Sequence, residues 1–441
     1  MKWIFGTLAL LAVGLAFHLS LLIYAMYVLL GVLLFSRFFT RVWTSRLEAR
    51  RFRSEDVFEI GGMVEVKVAV QNNGAWNIPW LLLEDALPMQ ALAGSSPSIK
   101  AQSGRLALVR LGAGEIKVLS YRVQFLRRGY YQLGPFLAET GDVFGLHRRY
   151  RILTEPDFAL VLPKVVPLAG YNLRSRRPIG EIRLAHRLFE DPTRMAGIRP
   201  FQQGDSLNRI HWRATARVGQ LQSRVYESSR VAGATLLLDF HANSFPGPAA
   251  VGSAELAVVT VASLANAVFL MGRQLAFASN GRDAADRIRE EGWKAEFLTR
   301  RDAQRRATVQ ETNTRLRPLV IEAGNGENQF SRILGTLARL EHSDGLEFAA
   351  FLAECESRIP RDTTVVAVLG IVTPQIAAAL GNLVLRGLLV TALVVSFDLE
   401  PVPEWAKPPD WAEMLLAQGI DCRAVNSEEA VANLCTEALV R

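Results

Sequence analysis

From Trp3 to Ser36 the chain carries no charged residue, and this run constrains the fold more than any other feature. As one helix it would extend ~50 Å at ~1.5 Å per residue, against a hydrocarbon core of ~30 Å. A transmembrane helical hairpin over residues 1–38 fits that thickness better, with the polar break His18-Leu19-Ser20 as the place to turn. Six arginines follow at once, Arg37, Arg41, Arg46, Arg50, Arg51 and Arg53, with Glu48 as the only acid in residues 39–53. Such a cluster stays cytoplasmic during insertion. Whether the chain spans once or twice, residues 37 onward are therefore expected on the cytoplasmic side of the inner (plasma) membrane. Residues 39–53 read as a basic juxtamembrane segment against lipid headgroups. A cleaved signal peptide starting at Lys2 would need translocatable sequence behind it, and the arginines oppose that.

With 441 residues the chain is too long for one core, and two soluble domains are expected beyond the membrane segment. Half of it is apolar and 21% charged, the range of folded proteins. Residues 1–53 hold +6 of the formal +7 and residues 170–230 hold +7, leaving the remainder net acidic. Nucleic-acid binders spread a basic face over a domain, so this placement favours headgroups and an acidic protein partner instead. Cys355, Cys422 and Cys435 are odd in number, with no C-x-x-C pair. They read as buried thiols in a reducing compartment, not as a disulfide framework or a zinc site.

Residues 54–165 have an apolar period of two. Val64, Val66, Val68 and Val70 alternate with Glu65 and Lys67, and Tyr121, Val123 and Phe125 alternate with Arg122 and Gln124. These are half-buried antiparallel strands. Turns at Asn72-Asn73-Gly74, Gly112-Ala113-Gly114 and Leu133-Gly134-Pro135 separate them. About seven short strands suggest a small β-sandwich of immunoglobulin-like kind, a spacer or docking module.

Residues 166–230 read as an Arg-rich linker; between 170 and 230 stand twelve arginines and no lysine. Arginine is favoured where a planar fork meets carboxylate or phosphate. Gly204 marks a turn, Asp205 or Ser206 can cap a helix, and Gly219 can end it. On that helix Arg209, Arg213 and Arg217 recur every fourth residue and line one edge beside Trp212. The stripe either pairs with carboxylates of a neighbouring domain or docks an acidic partner. His211, with no second His or Cys at metal spacing, reads as a packed core histidine.

The run Gly204-Asp205-Ser206 with Arg209-Ile210-His211-Trp212-Arg213-Ala214-Thr215-Ala216-Arg217 resembles the signature of the bacterial domain of unknown function 58 family. Arg128-Gly129-Tyr130, Leu133-Gly134-Pro135 and Asp142-Val143-Phe144-Gly145-Leu146 resemble the same pattern upstream. The resemblance implies a membrane-anchored protein with a von Willebrand factor A-like C-terminal domain, often encoded beside MoxR-type AAA+ ATPases. It implies no known reaction.

Read by itself, the segment 231–441 alternates strands with helices as in a doubly wound α/β sheet. Expected strands are Ala234–Leu238, Leu275–Ala278, Thr364–Leu369, Leu389–Val395 and Asp421–Val425. Asp239 ends the first of them, where such sheets bind ligands. Von Willebrand factor A-like domains usually carry Asp-x-Ser-x-Ser there, suited to Mg²⁺, but this chain has Asp239-Phe240-His241-Ala242-Asn243. A degenerate metal site at Asp239, serving a Mg²⁺-dependent client-binding sensor, is the alternative reading; otherwise Asp239 accepts loop hydrogen bonds or pairs with an arginine. There is no phosphate loop, nucleophile elbow or Cys/His metal framework. An enzyme built on Asp205, His211 and Glu227 would draw on different elements and prescribes no reaction. The expectation is an anchored adaptor or assembly factor, not an enzyme, that needs no cofactor and works with a MoxR-type AAA+ ATPase or envelope-assembly proteins.

Overall fold

The computed structural model describes residues 2–53, 55–88, 91–92, 97–102, 104–142, 145, 147–169, 189–200, 211–229, 233–292, 316–360, 363–397 and 410–434. The chain divides into two compact units, Met1–Leu162 with Ile288–Glu311 and Pro163–Arg287 with Thr312–Arg441.

The first unit opens with α1 (Lys2–Ala16) and α2 (Ser20–Ser45). Between them His18 takes a left-handed φ of 53°, and the Leu19 N–H closes on the Gly14 carbonyl at 2.9 Å. This six-residue closure satisfies an orphan carbonyl at the end of α1. Among the described residues two helices are long and apolar enough to cross a membrane, α2 and Ala250–Leu270. The latter is mostly buried, as the core helix of a soluble unit would be. At 15 residues α1 is shorter than the ~20 a span ordinarily needs.

The charge-free run ends at Ser36, but α2 continues to Ser45. Its buried Thr40 and Thr44 return their hydroxyls to the carbonyls of Ser36 and Thr40, at 3.0 and 2.9 Å, so these two hydroxyls are satisfied within the helix. Phe39 and Trp43 on the same stretch join the core of the β-domain. Residues 39–53 are thus not a separate juxtamembrane segment. They are the end of α2 and a strand of the sandwich, and the six arginines divide accordingly. Arg37, Arg41, Arg46 and Arg50 are exposed, whereas the Arg51 side chain is buried on Asp85 and Asp157 and Arg53 pairs with Asp56.

The sandwich has two four-stranded antiparallel sheets. One is ordered β1 (Leu47–Arg53), β3 (Met63–Asn72), β7 (Ile116–Phe125), β5 (Ile99–Ala101). The other is ordered β10 (Arg148–Thr154), β9 (Phe136–Gly141), β4 (Ile78–Asp85), β6 (Leu106–Leu111). A third, smaller sheet joins β2 (Val57–Phe58), β11 (Asp157–Val161) and β8 (Gly129–Leu133). The alternation in β3 places Val64, Val66, Val68 and Val70 in the core against Ile78, Leu81 and Leu83 of β4. Within this core Arg51 lies on Asp85, with Nε to Oδ2 at 3.2 Å and Nη2 to Oδ1 at 2.5 Å. The Tyr121 hydroxyl donates to the same carboxylate at 2.7 Å. Gly134 of the Leu-Gly-Pro motif has a φ of 93° and lies under the Arg51 guanidinium, where a Cβ would collide with it.

The second unit contains β12 (Phe189–Pro200), α3 (Trp212–Val218) and β13 (Gln222–Ser229), then an α/β sheet. Its strands are β14 (Gly233–Leu238), β15 (Gln274–Ser279), β17 (Leu319–Gly324), β19 (Thr363–Leu369), β20 (Leu389–Val395) and β21 (Asp421–Val425), in the order β17-β15-β14-β19-β20-β21. The two-residue strands β16 (Arg282–Asp283) and β18 (Leu340–Glu341) pair with each other. Helices α4 (Ala250–Leu270), α5 (Ala284–Glu291), α6 (Glu327–Arg339), α7 (Phe348–Cys355), α8 (Pro374–Leu385), α9 (Asp410–Leu416) and α10 (Glu428–Ala432) accompany the strands. Five strands are parallel, as their continuous apolar runs indicate, and β17 pairs antiparallel on the edge of β15. The sheet is therefore mixed. The order reverses at β14, so the crevice beyond its C-terminal end is the topological switch point. Burial pushes the thiols of Cys355 and Cys422 up to about 11, which makes them inert; Cys435 lies outside the described residues.

Candidate functional site

Two places carry the residues singled out in the sequence. The first is α3, held between β12 and β13, which pair antiparallel from Phe189↔Ser229 to Pro200↔Gln222. A helix of two turns is unstable alone, and here each end is tied down. The His211 Nδ1 accepts the Ala214 N–H at 3.0 Å, while the His211 N–H is committed to the Gln222 carbonyl at 2.8 Å. His211 has φ −92° and ψ 83°, outside the helical region, so α3 begins at Trp212 with His211 as its cap; the expected cap residues Asp205 and Ser206 lie outside the described residues. His211 is a helix cap on β13, not a core histidine. At the other end Gly219 takes φ 75° and donates its N–H to the Thr215 carbonyl at 2.9 Å, the closure expected of it. The Thr215 hydroxyl accepts the Gln222 N–H at 3.0 Å.

No residue of α3 is buried. Arg213 and Arg217, one turn apart, point to solvent and make no ion pair among the described residues. Trp212 is 67% exposed beside them, and Val218 and Leu221 are exposed as well. Gly204, Asp205 and Arg209 lie outside the described residues. The described part of the stripe is therefore a two-arginine edge next to an open tryptophan. Glu227, on β13, is well separated in the chain from the His211 cap.

The second place is the switch-point crevice. Asp239 is 1% exposed. Its Oδ1 accepts the Asn280 amide at 2.9 Å and the His241 N–H at 3.3 Å, and Ser244 adds a side-chain hydrogen bond. Burial holds its carboxyl above the ordinary carboxylate value, against the pull of these donors. Asn280 also accepts the Phe240 N–H at 2.6 Å and donates to the Leu346 carbonyl at 3.1 Å. The His241 Nδ1 accepts the Asn243 N–H at 3.2 Å, so its lone pair turns back into the loop. Gly370, where a carboxylate-bearing strand end would face Asp239, has no room for a Cβ against the Ser244 carbonyl and the Phe245 ring. A hard cation needs about six oxygens with free lone pairs. Here an N–H occupies that side of Asp239 and the second and fourth positions after it hold nitrogen ligands or amides, so the residues present do not fit Mg²⁺. Among the described residues no three His, Cys, Asp or Glu side chains group as metal ligands. Asp239 accepts loop hydrogen bonds and makes no ion pair with an arginine among the described residues.

Asn280 and Trp76 were not legible as site residues. Asn280 follows directly on an expected strand, in Ser279-Asn280-Gly281, and its position at the strand end was the available signal. Trp76 stands in a turn, and only the folded structure brings it to Phe39, with ring centroids 5.4 Å apart.

Residues 197–299 match the family described as "Protein of unknown function DUF58". This stretch contains α3 and runs through β13, β14, α4 and β15. An uncharacterized protein of Bacillus subtilis (strain 168), YeaD, is 23% identical over 240 residues, which cover 54% of this chain and 56% of that protein. The match thus spans little more than half of that relative's length. Among solved structures, a CARDB domain from Pyrococcus furiosus aligns at 19% identity and a TM-score of 0.18, covering 26% of this chain and 87% of that one. A sporulation control protein from Bacillus subtilis aligns at 12% identity and a TM-score of 0.16, covering 26% of this chain and 49% of that one.

Proposed function

We propose, from the match of residues 197–299 to the DUF58 family, that the chain is a membrane-anchored adaptor that faces the cytoplasm and docks an acidic protein partner on α3. The partner is a MoxR-type AAA+ ATPase or an envelope-assembly protein. The observation that carries this reading is the exposed face of α3: a capped helix with nothing buried, an open Trp212, and Arg213 and Arg217 without carboxylates among the described residues. Tryptophan and arginine are the side chains that dominate binding energies at interfaces, and their position within the family match ties the face to the family resemblance. The anchor is α2, with Arg37, Arg41, Arg46 and Arg50 exposed at its cytoplasmic end. The α/β sheet is read as von Willebrand factor A-like; its order and its antiparallel third strand support this. It serves as a scaffold without metal.

The test uses the full chain in nanodiscs and a purified MoxR-type ATPase from the same genome. Arg213→Glu with Arg217→Glu should weaken binding about tenfold or more, because reversal adds repulsion to the lost attraction. Trp212→Ala should weaken it by a similar factor. Affinity within twofold of wild type in both variants, with the fold intact by circular dichroism, sinks the reading.

A further inference from the structure

One end of the sandwich packs along the last turns of α2. Two of its loops reach along α2 toward the charge-free run. The His147 Nδ1 lies 2.9 Å from the Ser36 hydroxyl, and the Trp76 ring meets Phe39. Farther down, the Asn73 N–H bonds the Arg46 carbonyl at 2.9 Å and Arg151 donates to the Thr44 carbonyl at 2.5 Å. The helix is therefore gripped from residue 36 to residue 46 with no linker. The apolar stretch of α2, Ser20 to Ser36, extends about 25 Å, close to the hydrocarbon thickness. Its end falls at the level of these two loops.

At that level the surface is aromatic. Phe35, Phe38 and Trp76 are 62%, 59% and 55% exposed, and each packs on Phe39 at 4.3–5.6 Å. Arg37 and Arg41 project beside them, exposed and without an ion pair among the described residues. Tryptophan rings concentrate at the headgroup level of bilayers, phenylalanine rings bury at the boundary between headgroups and acyl chains, and arginine stems lie along apolar surface while their heads reach phosphate. Elsewhere on this unit Arg51, whose side chain is buried, has carboxylates of its own. The arginines at the end of α2 have none among the described residues, which leaves their guanidinium groups open to an external anion.

We propose that this end of the sandwich is embedded in the phospholipid headgroup layer, with Phe35, Phe38 and Trp76 in the interface and Arg37 and Arg41 on lipid phosphates. The proposal rests on the reading of α2 as a membrane anchor and makes it more specific: the sandwich stands rigidly on the bilayer and does not hang from a tether. The occupant of the aromatic patch is the bilayer that α2 itself crosses, because helix and patch are continuous.

The test places a photoreactive benzophenone amino acid singly at Val28, Trp76 or Leu106 in the full chain, in nanodiscs of phosphatidylcholine and phosphatidylglycerol, and reads lipid adducts by intact mass. Val28 probes the apolar half of α2. Leu106 is exposed on β6, six residues or about 20 Å from Gly112, whose carbonyl accepts the Asn72 side-chain amide at the α2 end of the sandwich. Adducts at 28 and 76, with yield at 106 at least fivefold lower, are expected. Adducts at 28 but not 76 overturn the headgroup proposal and leave the anchor standing; equal yields at 76 and 106 overturn it as well. No adduct at 28 removes the anchor, and the proposal with it. Trp76→Ser with Phe38→Ser should lower the adduct yield of a probe at Ala75 by at least threefold, and an unchanged yield would count against the aromatic contact.

Discussion

Replacing Arg51 by Met tests how the sandwich tolerates charge at its core. The Arg51 and Asp85 side chains are 3% and 0% exposed and paired through two hydrogen bonds. With Arg51 gone, Asp85 keeps only the Tyr121 hydroxyl among its described side-chain partners. Breaking a buried pair by removing one partner costs about 3–5 kcal/mol, because the remaining charge is uncompensated. At about 1.4 kcal/mol per tenfold, the opening equilibrium of β3, β4 and β7 should shift by two to three and a half orders of magnitude. Hydrogen exchange of those strands in the full chain reads that shift directly. The deficit depends on pH with a definite sign. Burial already raises the Asp85 carboxyl above its ordinary value, and losing the Arg51 charge raises it further. A carboxyl with a raised folded value costs stability above that value, and the cost is gone below the unfolded value of about 4. The Arg51→Met deficit should therefore be largest at pH 7–8 and shrink toward pH 4–5. Adding Asp85→Asn, which keeps an oxygen for Tyr121, should recover at least half of it. Protection within threefold of wild type at pH 7.5, or no recovery in the double variant, would show that the Arg51–Asp85 pair does not hold the core together.

Asp239→Asn should leave the α/β unit as stable as wild type at pH 7–8, or more so, since it removes a buried charge whose carboxyl value is raised and keeps Oδ1 for Asn280. That advantage should vanish near pH 4. Thermal unfolding of the full chain checks it, and a large loss at pH 7.5, or a Mg²⁺ stabilisation lost in the variant, would contradict the hydrogen-bonded role. Gly219→Ala forces a side chain into a left-handed residue at φ 75° and should destabilise α3 by about 1–2 kcal/mol. Faster exchange at Thr215 to Gly219 and a severalfold weaker partner affinity are expected, and unchanged exchange would contradict the capping role.

What was legible in the sequence followed local periodicity and punctuation. The valines of β3 announce a strand because period two puts all four on one face. The bounds of β20 and β21 stand where their apolar runs end. The turn region at His18 needed only the break in an apolar helix. The rest depended on distant partners. Arginines from residue 37 onward look like the end of an apolar helix, yet Phe39 and Trp43 find a sandwich core that stabilises α2 for two more turns. Arg51 reads as one more basic residue until Asp85, 34 positions later, is folded onto it. His211 beside Trp212 gives no hint that β13 will take its N–H and turn its ring into a cap. The direction of β17 is set by its neighbour β15, not by its own residues. On α3 the sequence supplied the residue types of a docking face, and the structure supplied the fact that Trp212, Arg213 and Arg217 are uncovered.

The adaptor reading meets its most direct test in intact cells, with a photocrosslinking amino acid at Trp212 and, as a control, at the exposed Leu385 of α8. Position 212 should crosslink an acidic-surfaced AAA+ ATPase or envelope-assembly protein that position 385 does not, and Arg213→Glu with Arg217→Glu should abolish the product. No crosslink at 212, or the same products from both positions, would contradict it.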